Sequence, residues 1–257
     1  MKKKFPLILL AAAFLLIATV SAFQLFGILS EYKQGEDVYD DLTQHVQAPS
    51  PTPTANDPDV SPDVNDDNIV WPDVDFEALK AINSDVVGWI LLEDTQVNYP
   101  IVKGPDNEYY LNRLYDGTGN GSGSIFMDYR NSGEFTDRHT IIYGHRMNNG
   151  SMFANIANYS NRAFFDAHPY ILIISPNGNY KMEVFSAYVA ETVDNAWDMS
   201  FDGDDMYEKW LADIQSRSYF SRDVELTKDT QIVTLSTCTY EMENARFVVH
   251  GVLTKAE

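Results

Sequence analysis

The sequence predicts an all-β domain with helical additions, a closed or nearly closed antiparallel barrel carried behind an apolar N-terminal helix. Three observations support this. Runs rich in β-branched and aromatic residues recur at 140–143, 170–174, 231–237 and 247–253. Tyr180, Met182 and Val184 alternate with Lys181 and Glu183, the period of a strand with one buried face, and Pro176-Asn177-Gly178-Asn179 supplies the turn of a hairpin before them. Among these runs lies one stretch of helical spacing, in which Met206, Trp210 and Ile214 fall beside Leu211 and follow Asp202, Asp204 and Asp205, acids suited to the positive end of a helix dipole. No internal repeat is evident.

The first elements place the chain in the cell. Lys2, Lys3 and Lys4 precede an uncharged, mostly apolar run at 5–29. At about 1.5 Å per residue it can cross a hydrocarbon layer of roughly 30 Å. The lysines favour the cytoplasmic side, so a single-pass anchor with the bulk of the chain outside the cell is expected. Val20-Ser21-Ala22 resembles a signal-peptide cleavage site, but the apolar region outruns an ordinary signal core and continues through Phe23, Leu25, Phe26 and Ile28. Residues 30–68 are read as a stalk and linker. The portion 31–46 is polar, with weak helical periodicity and no assigned function. From 47 to 68, Pro49, Pro51, Pro53, Pro58 and Pro62 interrupt any regular ladder and give a tether too polar to collapse. The folded domain, 69–257, opens with a short amphipathic helix at 73–83 carrying Phe76, Leu79 and Ile82.

Bulk properties narrow the function. A 44% hydrophobic content is enough for one packed domain, and a net charge of -20 opposes binding to phosphate backbones, so nucleic acid is not an expected partner. With one cysteine, Cys238, the chain cannot form an internal disulfide. That thiol is either a small buried hydrophobe or a reactive group. It follows a strand-like run and has Ser236, Thr237, Thr239 and Tyr240 as neighbours, a polar setting that leaves both readings open.

A thiol needs partners to perform acyl transfer. His145 follows the strand at 140–143, and Gly144 before it permits an unusual backbone angle or a close approach. Of the other histidines, His45 lies in the stalk, His139 precedes a strand beside Arg138, His168 abuts Pro169 and His250 lies inside the last strand; each suits a structural role. Arg246 opens the final strand eight positions after Cys238, so a hairpin can return its guanidinium towards the sulfur. There it could stabilise a thiolate and an oxyanion, or simply pair with Glu241 or Glu243.

Three segments in order, Tyr143-Gly144-His145-Arg146-Met147, Thr234-Leu235-Ser236-Thr237-Cys238 and Arg246-Phe247-Val248-Val249-His250, resemble the signature segments of class B sortases. The similarity continues through Gly88-Trp89-Ile90, Gly123-Ser124-Ile125-Phe126-Met127-Asp128, Gly150-Ser151-Met152-Phe153 and Glu183-Val184-Phe185-Ser186, covering roughly 73–253. The resemblance implies an eight-stranded sortase barrel, N-terminal helices, and a helix between the sixth and seventh strands. It implies Cys238 as nucleophile, His145 as general acid/base and Arg246 as electrostatic stabiliser. Leu111, Thr192 and Ser236 match positions lining the family's peptide groove, and Trp197 falls in the loop that reads the peptide, where it departs from the family's usual residue.

The implied activity is transpeptidation, with peptide hydrolysis on the side. A C-terminal sorting signal on a secreted protein is cut at a Thr-Gly-type bond through a Cys thioester, and the acyl group passes to a peptidoglycan amine. Two alternatives remain: a pilin-polymerising enzyme using a pilin lysine, and a non-catalytic, membrane-tethered domain that binds peptides. No cofactor is expected. Asp202, Asp204 and Asp205 lack the alternating ligands and distal Glu of a calcium loop, and no phosphate loop or zinc-spaced Cys/His cluster is evident.

Overall fold

The computed structural model describes residues 5–47, 69–238 and 244–256. Lys2, Lys3 and Lys4, the proline-rich tether from 48 onward, Glu241 and Glu243 lie outside the described residues. Eight strands close into a barrel: β3 (Val86–Leu91), β4 (Asn98–Val102), β5 (Ile125–Met127), β6 (His139–Tyr143), β7 (Tyr170–Ser175), β8 (Gly178–Glu191), β9 (Ile232–Cys238) and β10 (Ala245–Lys255). Around the barrel the order is β10-β8-β7-β3-β4-β5-β6-β9, closing on β10.

The expected antiparallel barrel is corrected to a mixed one. β4 runs parallel to β5, and β6 runs parallel to β9. A parallel neighbour needs a long crossover rather than a tight turn. The excursion at 103–124 supplies one for β5, and the segments between β6 and β9 supply the other. Local signals predict the β7–β8 hairpin well. β7 and β8 pair through Ser175 and Gly178, leaving Pro176-Asn177 as the turn; Tyr180, Met182 and Val184 are buried while Lys181 and Glu183 are half-exposed.

Helix α3 (Arg162–Ala167) lies between β6 and β7, and helix α4 (Asp204–Ser216) lies between the sixth and seventh barrel strands. Its buried stripe is Tyr207, Trp210, Leu211 and Ile214, the i, i+3, i+4, i+7 pattern of one helical face. Met206, expected on that face, is 48% exposed, because it stands one residue out of phase with the stripe. The stripe packs on Phe185, Tyr188, Ile232 and Val248 of the outer barrel wall, a core separate from the barrel interior. Asp204 and Asp205 sit in the first turn, where the helix dipole favours them, and Asp204 also pairs with Arg138 at 2.7 Å.

Before the barrel, α1 (Phe5–Thr43) runs unbroken from the apolar segment onto the domain, β1 (Val46–Gln47) pairs with β2 (Asp73–Val74), and α2 (Phe76–Ile82) follows. The side chain of Asp75 caps α2 by accepting the Ala78 N–H at 2.9 Å. The sequence places the start of the folded unit near Ile69. In the structure Tyr39 and Leu42 of α1 also join the barrel core. Burying Leu42 contributes roughly 2 kcal/mol. Leu10, Phe14, Phe23, Phe26 and Leu29 of the same helix are exposed, and by length and composition its apolar part can cross a membrane.

Candidate active site

Strand register assembles the site. In the antiparallel pair β9–β10, Cys238 stands opposite Arg246. In the parallel pair β6–β9, Tyr143 stands beside Ser236, and the Gly144 N–H donates to the Ser236 carbonyl at 3.1 Å. Continuing that register by two residues brings position 145 level with position 238. Three neighbouring strand ends thus carry the expected imidazole, thiol and guanidinium. The side chain of Cys238 falls outside the described residues.

His145 is half-buried, and its Nε2 lies 2.7 Å from the Leu111 carbonyl oxygen. A carbonyl only accepts, so Nε2 carries the hydrogen in this contact. Close approach, rather than an unusual backbone angle, explains Gly144. A Cβ there would collide with Ile125 Cδ1 and lie 2.7 Å from Phe153 Cδ2. Gly123 is required on two counts. Its φ is +61°, and a Cβ would lie 2.5 Å from the Leu111 carbonyl and 3.0 Å from His145 Cδ2.

A cavity of about 280 Å³ opens over these strand ends, lined by His145, Arg246, Leu111 and Ser236 together with Asn107, Phe126, Tyr143, Gly144 and Thr237. Thr192 does not line it among the described residues. It is exposed just past β8, where its N–H donates to the Asn244 carbonyl at 3.0 Å. The cavity floor hides a group the sequence did not single out. Asp128 is fully buried and accepts from Arg130 at 2.8 Å, Asn107 at 2.9 Å and the Tyr143 hydroxyl at 3.0 Å. Burial pushes its carboxyl up, but the bonds from Arg130, Asn107 and Tyr143 outweigh this and hold it below the usual carboxylate range. Burial, reinforced by the Asp128 charge, pushes the Tyr143 phenol well up, so it stays a neutral donor. The polar wall formed by Asn107 and Tyr143 is therefore fixed from behind by one carboxylate.

Beside the cavity, the Trp197 indole N–H donates to Ser236 Oγ at 3.2 Å. The loop bearing Trp197 is anchored by a buried chain of hydrogen bonds. His139 Nδ1 donates to the Asp198 carbonyl at 2.7 Å, which leaves His139 Nε2 to accept from Thr234 Oγ1 at 2.7 Å. Thr234 Oγ1 in turn accepts from His250 Nδ1 at 2.7 Å, and His250 Nε2 accepts from the Tyr188 hydroxyl at 3.2 Å. Only two neutral imidazoles fit this order of donors. Burial pushes His139 down to about 4 and His250 well below the ordinary histidine value, in keeping with that order.

Among the described residues no group of three or more His, Cys, Asp or Glu side chains is arranged to hold a metal ion.

Comparison with known proteins defines the class first. The sortase-domain family model matches residues 90–254. Sortase B of Listeria monocytogenes is 39% identical over 177 residues, 68% of this chain and 72% of that protein. Sortase B of Staphylococcus aureus is 37% identical over 182 residues, 70% of this chain and 75% of that protein. In structure, a Staphylococcus aureus sortase B–substrate complex aligns with a TM-score of 0.68 at 37% identity, covering 71% of this chain and 85% of that one. Sortase B of Bacillus anthracis in complex with AAEK1 aligns with a TM-score of 0.73 at 35% identity, covering 89% of this chain and 100% of that one. The chain belongs to the sortase family of cysteine transpeptidases, within its class B.

Proposed function

We propose that the chain cleaves a C-terminal sorting signal at a Thr-Gly-type bond and transfers the acyl group to a cell-wall amine. The observation that carries this reading is the register that sets Cys238 opposite Arg246 and Ser236 beside Tyr143, so that His145 and Cys238 each follow two residues beyond one parallel pair. The Cys238 sulfur attacks the threonine carbonyl carbon, and Arg246 with backbone N–H groups stabilises the oxyanion. As the C–N bond breaks, His145 gives a proton to the departing glycine amine. With Nε2 held by the Leu111 carbonyl, the proton-exchanging nitrogen is Nδ1. The acceptor amine then attacks the thioester, His145 takes its proton, and the Cys238 thiolate leaves. Water in place of the amine gives hydrolysis. Leu111, Ser236 and Thr192 are proposed to contact the sorting peptide, the first two from the cavity wall and Thr192 from outside it.

The apolar run at 5–29 is proposed as a single-pass anchor, with the N-terminus cytoplasmic and the barrel outside. The full chain is incubated with a mixed sorting-peptide library and intact mass is recorded. An acyl adduct on Cys238, absent in Cys238→Ala and discharged by a wall-type amine, is expected. Equal peptide turnover by Cys238→Ala would overturn the assignment. Covalent ladders formed with purified pilin alone would instead favour polymerisation.

A further inference from the structure

We propose that Tyr39, at the end of the membrane-proximal helix, is a positioning residue for His145, so that docking of α1 sets the geometry of the acid/base. The inference rests on the acid/base role given to His145 above.

Tyr39 is 5% exposed, and its hydroxyl donates to the Gly123 carbonyl at 2.6 Å, with Ser124 Oγ at 3.1 Å. Gly123 packs against both His145 and the carbonyl that holds it. Any side-chain carbon there would overlap the Leu111 carbonyl that holds His145 Nε2, and would press on His145 Cδ2. Backbone in such contact cannot shift without moving what it touches, because packed interiors have no slack to absorb a displacement.

α1 grips the surroundings of His145 at further points. Before Gly123, Asn120 Nδ2 donates to the Glu31 carbonyl at 2.9 Å, and Gly35 lies so close to the turn that a Cβ would stand 3.2 Å from Ser122 Oγ. After His145, Asn149 Nδ2 donates to Glu36 Oε1 at 2.9 Å, while the Phe153 N–H returns to the His145 carbonyl at 2.9 Å. One helix thus holds both chain segments that flank the imidazole. A role in stability alone would leave the folded enzyme's turnover untouched. Positioning makes a different demand, since errors well below 1 Å in a proton-transfer group slow the chemical step.

The test uses the full chain in detergent micelles and two variants. Tyr39→Phe removes the hydroxyl and keeps the ring; Gly35→Leu wedges the helix away from the turn. Turnover of a fluorogenic Thr-Gly peptide chosen from the library is measured with the ¹H–¹³C signal of the His145 ring, assigned by its loss in His145→Asn. For Tyr39→Phe, kcat is expected to fall about three- to tenfold with KM within about twofold, on the scale of one lost hydrogen bond. The His145 ring signal moves, and Gly35→Leu does the same more strongly. Unchanged kcat and an unmoved His145 signal in folded Tyr39→Phe would overturn the proposal whatever Gly35→Leu does. If the wild-type chain turns over no peptide, the functional reading fails instead, and the His145 signal still decides whether Tyr39 positions the ring.

Discussion

At the scale of single residues, the proposed chemistry makes unequal demands on its groups. Replacing His145 by Ala should lower kcat/KM by about 10²–10⁴, and Arg246→Ala by about 10²–10³, measured on the same fluorogenic peptide. Arg246→Lys keeps the charge but loses the planar fork, and should recover only part of that loss. Gly123→Ala should remove activity although the residue bears no reactive group, because its methyl would occupy the space of the Leu111 carbonyl. The buried histidines give a prediction of another kind. His139 sits in the fold with its value near 4, below the ordinary 6.5, so the unfolded chain binds the extra proton first as pH falls. Its share of stability is therefore complete above about pH 6.5 and lost as pH drops towards 4. Thermal melts should show about 2 kcal/mol of loss between pH 7 and pH 5 from this group, and His139→Gln should flatten that slope. Residue-scale reading of the sequence picks out His145, Cys238 and Arg246 as candidates beside recognisable strands but leaves their roles open, and the resemblance to class B sortases is what implies those roles. Asp128 escaped it, because a carboxylate that organises Asn107, Arg130 and Tyr143 is defined only once the chain has folded.

Elements were legible in proportion to how local their cause is. The β7–β8 hairpin follows from alternation and a turn within a few residues of each other, and the structure reproduces it. The two parallel pairings left no trace in the sequence, because they depend on which distant strand closes the barrel. For α4 the existence of the helix was readable, yet Met206 rather than Tyr207 was given to the buried face. Four-residue spacing is shared by several faces of a helix, and only contact chooses among them. The part of α1 beyond the apolar run hides a similar pattern, since Tyr32, Gly35, Tyr39 and Leu42 recur every three or four residues in a polar background. Truncation tests these faces directly. Trp210→Ala should cost about 3–5 kcal/mol in denaturant unfolding, while Met206→Ala should stay within about 0.5 kcal/mol. Equal effects at the two positions would contradict the packing described for α4.

For the whole molecule, charge and topology make separate statements. A net charge of -20 gives the chain a negative overall field, which would favour the proposed cationic amine acceptor and is screened by salt. The apparent KM for such an acceptor should therefore rise with ionic strength, while that for an uncharged sorting peptide should change little. Because Cys238 is the one thiol in the chain, orientation can be read without engineering. A membrane-impermeant maleimide added to intact cells freed of their wall should label it, and labelling only after lysis would reverse the proposed topology. The unbroken course of α1 has a last implication. From Leu29, the end of the apolar run, to Tyr39, docked on the barrel, the helix rises about 15 Å. With 5–29 in the bilayer it is a stiff pillar that holds the cleft at one altitude above the lipid. On the proposed function, a secreted polypeptide rooted in the same bilayer would have to bring its scissile bond to that height, so inserting a helical turn into the pillar should penalise tethered clients and spare free peptides.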